Sequence, residues 1–175
     1  MSLSIVIPIL NEDKNLEILH KKIILNIKKK INYEIIFVDD NSDDNSISIL
    51  EKISENNKKT KYILRKKIRD LTQSCFLGIE NAKYGNILIM DGDLQHDPSN
   101  LPLLIQKYFQ KKADILIGTR NFKKKIKGLD IYRFYTSKIL IFLFNFFFGF
   151  KTKDPLSGFF IFKKEIYTKN KKKLF

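Results

Sequence analysis

The sequence predicts an α/β protein with a mostly parallel sheet, on two observations. Short apolar runs alternate along the first 118 residues with segments whose apolar residues recur at helical spacing. This alternation is typical of strand–helix–strand crossover units. The apolar runs also lack the polar alternation of a half-exposed strand, so we expect helices to cover both faces of the sheet.

Five strands are predicted in this part of the chain. Each is a short apolar run that stops at polar or turn-forming residues, and together they occupy residues 3–8, 34–38, 61–64, 86–90 and 114–118. Because parallel strands align their carboxyl ends along one edge of the sheet, we expect a ligand to bind beyond that edge.

The four connections between these strands are predicted to be helical. Asn11 or Asp13 is expected to cap the first helix, and the second should start near Asp43. The third spans residues 71–83, and Pro98 marks the first turn of the fourth. The positions expected to face the core are, helix by helix, residues 16, 19, 23 and 27, then 47, 50 and 53, then 101, 104, 105 and 108.

Length and composition exclude several classes of protein. The 175 residues suit one domain, and 43% hydrophobic residues exclude wholesale disorder. A lone cysteine, Cys75, excludes a disulfide framework and a cysteine-rich zinc module; we expect it to be a core residue of the third helix. The N-terminus lacks the basic start and long apolar stretch of a secretory signal, so a location in the cytosol or on the cytosolic side of a membrane is predicted.

Positive charge is concentrated in the last third of the chain. The net charge is +14, and residues 120–175 carry 15 Lys and Arg against three acids. Such a region is expected to meet an anionic partner: nucleic acid, anionic lipid or a phosphorylated substrate. The alternative is that lysine is simply the default surface residue of this protein.

The basic third contains an apolar block at residues 139–150 with six phenylalanines and flanking lysines. Twelve residues are too few to cross a bilayer. Residues 130–153 are therefore predicted to be a basic and aromatic segment that lies at a membrane interface; a buried core helix is the alternative. Because the aromatics cluster apart from the basic residues, nucleic acid is not the expected partner.

Acidic residues follow two of the predicted strands. Asp39 and Asp40 end the second strand, and Asp91 and Asp93 follow the fourth. Adjacent carboxylates repel each other unless a cation neutralises them or a hydroxyl group donates hydrogen bonds to them. A ribose diol or a base N–H would suit the first pair, with Asn11 and Glu12 bordering the same crevice; helix capping by Asp40 or Ser42 is the alternative.

A metal site is predicted at the fourth strand. In an extended segment Asp91, Asp93 and Gln95 would point the same way, and Gly92 would leave the backbone open to a ligand. Oxygen ligands suit Mg²⁺ or Mn²⁺, which usually complete their shell with substrate phosphates. The alternative is a plain acidic turn. His96 and Asp97 are expected to orient the loop or cap the next helix rather than bind the metal.

Arginines supply candidate anion contacts. Arg120 follows the fifth strand, and Arg133 and Ser137 are four residues apart and so share a helix face. Guanidinium groups match phosphate oxygens bidentately. For these residues, and for Arg65 and Arg69 upstream, a surface ion pair is the alternative.

Five segments together resemble the family 2 glycosyltransferases, and the last two resemble the polyprenyl-phosphate branch that includes the dolichol-phosphate mannosyltransferases. They are VIPILNE at residues 6–12, EIIFVDDNS at 34–42, MDGDLQHDP at 90–98, GTR at 118–120 and DPLSGFF at 154–160. The resemblance implies a three-layer GT-A fold, a nucleotide-diphosphate sugar donor, a divalent metal and a polyprenyl-phosphate acceptor at the cytosolic membrane face.

The resemblance also implies roles for individual residues. Pro8, Glu12 and Asp39 or Asp40 would hold the nucleoside. The metal, and through it the diphosphate, would be bound by Asp91, Asp93 and Gln95. The acceptor phosphate would be gripped by Arg120, Arg133 and Ser137.

The chain departs from the family pattern at three places. Phe160 replaces a basic residue of many members, and residues 65–79 lack a glycine-rich stretch. The chain also stops soon after the last motif, where relatives usually continue.

The expected function is inverting transfer of a hexose to dolichyl or undecaprenyl phosphate by a peripheral membrane protein, with GDP-mannose favoured over UDP-glucose. An inactive remnant of the fold and a metal-dependent nucleotidyltransferase are the alternatives.

Overall fold

A six-stranded sheet organises the chain in a computed structural model that describes residues 1–28, 30–119 and 157–173. The strands are β1 (Ser2–Ile9), β2 (Asn32–Asp39), β3 (Thr60–Leu64), β4 (Asn86–Ile89), β5 (Ile115–Ile117) and β6 (Phe160–Lys163). The helices are α1 (Asp13–Asn26), α2 (Ser46–Asn56), α3 (Leu71–Glu80), α4 (Leu101–Lys111) and α5 (Lys164–Asn170). Short 3-10 turns occupy Pro98–Asn100 and Lys171–Lys173.

The sheet is mostly parallel, as predicted. Its order is β3-β2-β1-β4-β6-β5, and β1 pairs in parallel with both β2 and β4. Among the described strands only β6 runs against its neighbours, pairing antiparallel with β4 and β5. All five predicted strands are present; β6 and α5 were not predicted, because a four-residue run gives little periodic signal.

Helices cover both faces of the sheet, which gives the predicted three layers. On one face, apolar residues of α1, α2 and α4 pack against Ile5, Ile7 and Phe37 of the central strands. On the other face, α3 and α5 pack against Val6 and Ile36. Neighbouring residues of a strand therefore enter opposite layers, which explains why the strands are apolar throughout.

Helix boundaries differ from the predictions by a few residues. Neither Asn11 nor Asp13 caps α1, because Glu12 occupies the N-cap and makes no side-chain capping bond. Helix α2 starts at Ser46 rather than near Asp43, since the Asp44 carboxylate accepts the Ser46 N–H at 2.9 Å and holds a turn before the helix. The predicted core positions of α1, residues 16, 19, 23 and 27, are all buried.

The carboxyl edge of the sheet is also where the chain leaves and returns. The Gly118 N–H donates to the Phe159 carbonyl at 2.7 Å, and the Ser157 hydroxyl donates to the Gly118 carbonyl at 2.5 Å. Arg120, Arg133, Ser137 and the predicted segment at residues 130–153 lie outside the described residues. No helix within the described ranges is long and apolar enough to cross a membrane.

Candidate active site

A cleft of about 530 Å³ opens at the carboxyl edge, beside the ends of β1, β2 and β4. It is built from the turns that follow these strands and from the start of α3. Its lining residues are Pro8, Ile9, Leu10, Glu12, Asp40, Arg69, Asp70, Leu71, Asp91, Gly92 and Asp93. The two acidic segments that the sequence placed at strand ends therefore contribute to one site.

Carboxylates dominate this cleft. Five acidic side chains line it, and Arg69 is the single basic residue among its described lining residues. The pKa of the Cys75 thiol in α3 is raised to about 12. Burial is the largest cause, and the negative charges of Asp91, Asp40 and Asp70 add to it. The cleft is therefore suited to cations, and an anionic ligand needs a cation to enter with it.

Asp91 and Asp93 flank Gly92, which cannot be replaced by a larger residue unless neighbouring atoms move. A Cβ atom at Gly92 would lie 2.8 Å from the Ile9 Cγ2 atom. The Asp93 carboxylate accepts the Gln95 N–H at 2.9 Å, which fixes the turn after it. Both carboxylates are half-buried and face the cleft.

Gly158 packs directly on the Asp91 carboxylate. A Cβ atom at position 158 would overlap both oxygens of that carboxylate, so only glycine allows the present approach. The Ser-Gly-Phe segment at residues 157–159 thus reaches the predicted metal site from β6. The sequence suggested the segment as part of a family motif, but no spacing rule connects it to Asp91.

Gln95 does not join the two aspartates in the cleft. Leu94 has a left-handed backbone with φ of 60°, so the segment is bent rather than extended and the expected alternation of side chains fails. Gln95 instead lines a second cleft of about 770 Å³ between α4 and β5, together with His96 and Phe159. Asp97 accepts the Ser99 N–H at 3.0 Å and caps the following turn, as expected.

Asp39 and Asp40 separate into two roles. Asp40 lines the cleft, pairs with Arg65 and accepts the Asp70 N–H at 2.6 Å. Asp39 is 1% exposed and accepts the Ser42 N–H at 3.0 Å through Oδ1. Its Oδ2 atom is buried without a hydrogen-bond partner among the described residues, an arrangement that costs about 1–3 kcal/mol.

Asn11 joins two loops rather than entering the cleft. Its N–H donates to the Ser42 hydroxyl at 2.9 Å, and its side-chain oxygen accepts the Asp43 N–H at 2.8 Å. Its φ of 57° lies in the left-handed region that asparagine tolerates. The neighbouring Glu12 does line the cleft and accepts a bond from the Asn15 side chain at 2.6 Å.

The two upstream arginines hold the loop between β3 and α3. Arg65 pairs with Asp40, and the two side chains are only 9% and 6% exposed, so this pair is buried and not on the surface. Arg69 pairs with Asp43 and donates to the Asn41 carbonyl at 3.0 Å. Sequence reasoning missed the role of Asp70, which caps α3 by accepting the Gln73 N–H at 3.0 Å; the Asp-x-x-Gln spacing was the available signal.

The donor set of the cleft fits a hard divalent cation. Mg²⁺ and Mn²⁺ prefer carboxylate oxygens and commonly use one or two of them, with substrate phosphates as further ligands. Asp91 and Asp93 supply such a pair. Among residues 1–28, 30–119 and 157–173, no three His, Cys, Asp or Glu side chains form a closed metal cage.

The family is shown by a comparison with protein-family models. The model for glycosyl transferase family 2 matches residues 4–170, nearly the whole sequence. The chain belongs to this family.

Curated relatives share this sequence over part of their length. A dolichol-phosphate mannosyltransferase of Pyrococcus furiosus is 37% identical over 169 residues, which are 95% of this chain and 47% of that protein. A dodecaprenyl-phosphate galacturonate synthase of Rhizobium johnstonii is 28% identical over 126 residues, which are 71% of this chain and 37% of that protein. The chain thus spans less than half the length of either relative.

The fold also matches solved structures. A mannosyltransferase from Pyrobaculum calidifontis, solved in complex with GDP-Man and Mn²⁺, superimposes with a TM-score of 0.68 at 16% identity. The match covers 95% of this chain and 46% of that protein. The predicted fold is confirmed: this is a GT-A glycosyltransferase domain.

Proposed function

We propose that this family 2 member transfers a sugar from a nucleotide-diphosphate sugar to a polyprenyl phosphate, with Mg²⁺ or Mn²⁺ held by Asp91 and Asp93. The observation that carries the proposal is the acidic cleft, where these two carboxylates meet Pro8, Glu12 and Asp40 at the ends of three parallel strands. A diphosphate would be repelled by five carboxylates, so a bound cation explains how such a donor enters.

The donor is proposed to lie along the turns after β1 and β2. Pro8, Glu12 and Asp40 are the lining residues that would border a nucleoside. The neighbouring Asp39 has a buried carboxylate oxygen, Oδ2, that is able to accept a further hydrogen bond. GDP-mannose is the favoured donor, because the Pyrococcus relative is named a mannosyltransferase and the Pyrobaculum structure holds GDP-Man. UDP-glucose is the competing donor.

The acceptor is proposed to reach the same edge from the basic third of the chain. Arg120, Arg133 and Ser137 are the proposed phosphate contacts, and residues 130–153 the proposed membrane segment. Thr119 and Ser157 flank residues 120–156, and the Ser157 hydroxyl donates to the Gly118 carbonyl at the carboxyl edge. The names of both curated relatives contain a lipid phosphate, dolichol phosphate or dodecaprenyl phosphate, which supports a lipid-phosphate acceptor.

The proposed reaction requires little proton transfer by the protein. A phosphate monoester is already anionic near neutral pH, so no side chain has to act as general base. The proposed work of the chain is to hold the acceptor oxygen in line with the anomeric carbon and to orient the donor. A divalent ion, when bound, would offset charge on the departing diphosphate. Single displacement predicts inversion of the anomeric configuration.

The test measures transfer of labelled mannose from GDP-mannose to polyprenyl phosphate. Asp91→Asn and Asp93→Asn should each lower transfer by about a hundredfold or more, while Asp97→Asn, an exposed acid of the same loop that keeps its capping oxygen, should retain it. Transfer by either of the first two variants at the normal rate would contradict the proposal.

The two alternative functions give different results in a binding experiment. Nucleotide-diphosphate sugars with Mn²⁺ should raise the melting temperature, whereas a nucleotidyltransferase would respond to nucleoside triphosphates and consume them. Donor binding without transfer would identify an inactive remnant. The proposed site of action, the cytoplasmic face of a membrane, is tested by protease accessibility in sealed vesicles from cells.

A further inference from the structure

The loop between β3 and α3 carries an unusual apolar side chain at its tip. Ile68 is 91% exposed, more than any other large apolar side chain in the described ranges. Leu71, three residues later at the start of α3, is 63% exposed. A single exposed isoleucine is common, so the inference depends on how the loop is held and on what surrounds Ile68.

The loop is fixed, so Ile68 is not exposed through fraying. The Arg65 guanidinium donates to the Ile68 carbonyl at 2.6 Å and also pairs with Asp40. Asp40 accepts the Asp70 N–H at 2.6 Å, which ties the other end of the loop to the same carboxylate. Arg69 is bound to the Asn41 carbonyl and to Asp43. These contacts hold the backbone and leave the tip, residues 66–68, facing solvent.

The two residues before Ile68 are lysines. Lys66 and Lys67 are both exposed, and neither pairs with an acidic side chain in the part of the chain that the structure describes. Unpaired lysines beside an aliphatic side chain match a surface of anionic headgroups over acyl chains. A protein partner fits less well, since the cores of protein interfaces are depleted in lysine.

The tip adjoins the mouth of the acidic cleft. Arg69, Asp70 and Leu71, which directly follow the tip, are lining residues of that cleft. We propose that residues 66–68 form a membrane-contacting tip that binds anionic lipid and brings the mouth of the cleft to the bilayer surface. The purpose of this placement rests on the proposed function, because a lipid-phosphate acceptor would lie in the membrane. The lipid contact itself is independent of the proposed function.

The absence of tryptophan from the chain permits a local test. An Ile68→Trp variant is mixed with vesicles of phosphatidylcholine and phosphatidylglycerol, and its emission is recorded with and without brominated lipid. We expect a blue shift and quenching. Leu25→Trp is the matched control, because Leu25 is an exposed apolar residue on α1, 73% accessible, and away from the tip. Its emission should not change.

The charge contribution is tested by paired substitutions. Lys66→Gln and Lys67→Gln should each weaken vesicle partitioning about fivefold, since a lysine near an anionic leaflet contributes about 1 kcal/mol. Lys21→Gln together with Lys22→Gln, two exposed lysines of α1, is the control and should have a smaller effect. Added salt should reduce the difference between the two pairs.

Three results with the Ile68→Trp variant would overturn the inference: unchanged tryptophan emission with anionic vesicles, an equal shift with phosphatidylcholine alone, or a shift without vesicles that grows with protein concentration. The last would identify a second copy of the chain as the occupant. Failure of the proposed function is seen separately, as absent Mn²⁺-dependent donor binding and sugar transfer by the unchanged chain. Vesicle binding by the tip does not require either activity.

Discussion

At the scale of single residues, contacts divide the predicted site residues into those that line the cleft and those that do not. Asp40, Asp91 and Asp93 line the cleft, whereas Asn11 connects two turns and Gln95 lines a different cleft. Sequence position alone could not separate them. A single left-handed residue, Leu94, decides where Gln95 points, and no propensity rule places leucine in that conformation.

Gly158→Ala should disturb the proposed metal site without unfolding the protein. The added methyl group would push the Asp91 carboxylate away from its present position. We expect the affinity for Mn²⁺ with GDP to fall about tenfold or more, a loss of about 1.4 kcal/mol, measured by calorimetry. Gly85→Ala is the control, because a Cβ atom there meets no atom within 4 Å. Equal loss in both variants would refute the steric role.

His20 should make stability depend on pH in mildly acidic solution. Burial lowers its pKa from the ordinary value of 6.5, and its ring contacts the Thr60 hydroxyl at 2.9 Å. The unfolded chain therefore binds a proton more readily than the folded chain. Stability from the neutral ring is full above pH 6.5 and declines as the pH falls below it. Urea unfolding at several pH values should show less of this decline in His20→Gln.

At the scale of elements, the turns after β1 and β2 and the start of α3 form one hydrogen-bonded assembly around Asp40. In this assembly Arg65 and Asp70 give the turn before α3 its shape through contacts with the Asp40 carboxylate. Periodicity predicted the elements themselves, because their apolar stripes bury against the sheet. It could not predict contacts between turns that are about 30 residues apart in sequence.

The buried pair of this assembly gives a stability prediction. Arg65→Met leaves the Asp40 carboxylate buried without its cation, which should lower the free energy of unfolding by about 3–5 kcal/mol. Combining it with Asp40→Leu should restore part of that loss, because the uncompensated charge is removed. Urea titration measures both effects. A double variant less stable than Arg65→Met would show that the hydrogen bond to Asp70 matters more.

Strand β6 is an element that was not predicted from the sequence. It inserts between β4 and β5 and reverses direction, so the parallel crossover pattern of the preceding strands gives no hint of its place. Phe160 starts this strand, with its ring 5.8 Å from that of Phe162. Phenylalanine at this position, in place of the basic residue expected from the family pattern, is thus compatible with packing on the face of the sheet that α3 and α5 cover.

At the scale of the whole molecule, charge is distributed unevenly. The carboxyl edge bears an acidic cleft, while the last third of the sequence is strongly basic. The sequence alone predicted the fold class, and it placed both aspartate pairs at the carboxyl ends of strands, which align in parallel sheets. Which carboxylates line the cleft required three-dimensional structure.

Divalent metal should control donor binding to the whole protein. With Mn²⁺ present, GDP at about one hundred times its dissociation constant should stabilise the fold by about 2.7 kcal/mol. That corresponds to a rise in melting temperature of about 5–10 °C for a domain of this size. EDTA should abolish the rise. A full response to GDP in EDTA would mean that arginine and lysine side chains alone offset the diphosphate charge.

The paired bonds that join Gly118 to residues 157–159 have a wider consequence. They bring the boundaries of residues 120–156 side by side on the sheet, and the ladders between the described strands are formed by residues outside that stretch. We therefore expect an exchange of the stretch between family members to keep these described ladders. Because the proposed acceptor contacts Arg120, Arg133 and Ser137 lie in this stretch, such a chimera should change the proposed acceptor and keep the proposed donor.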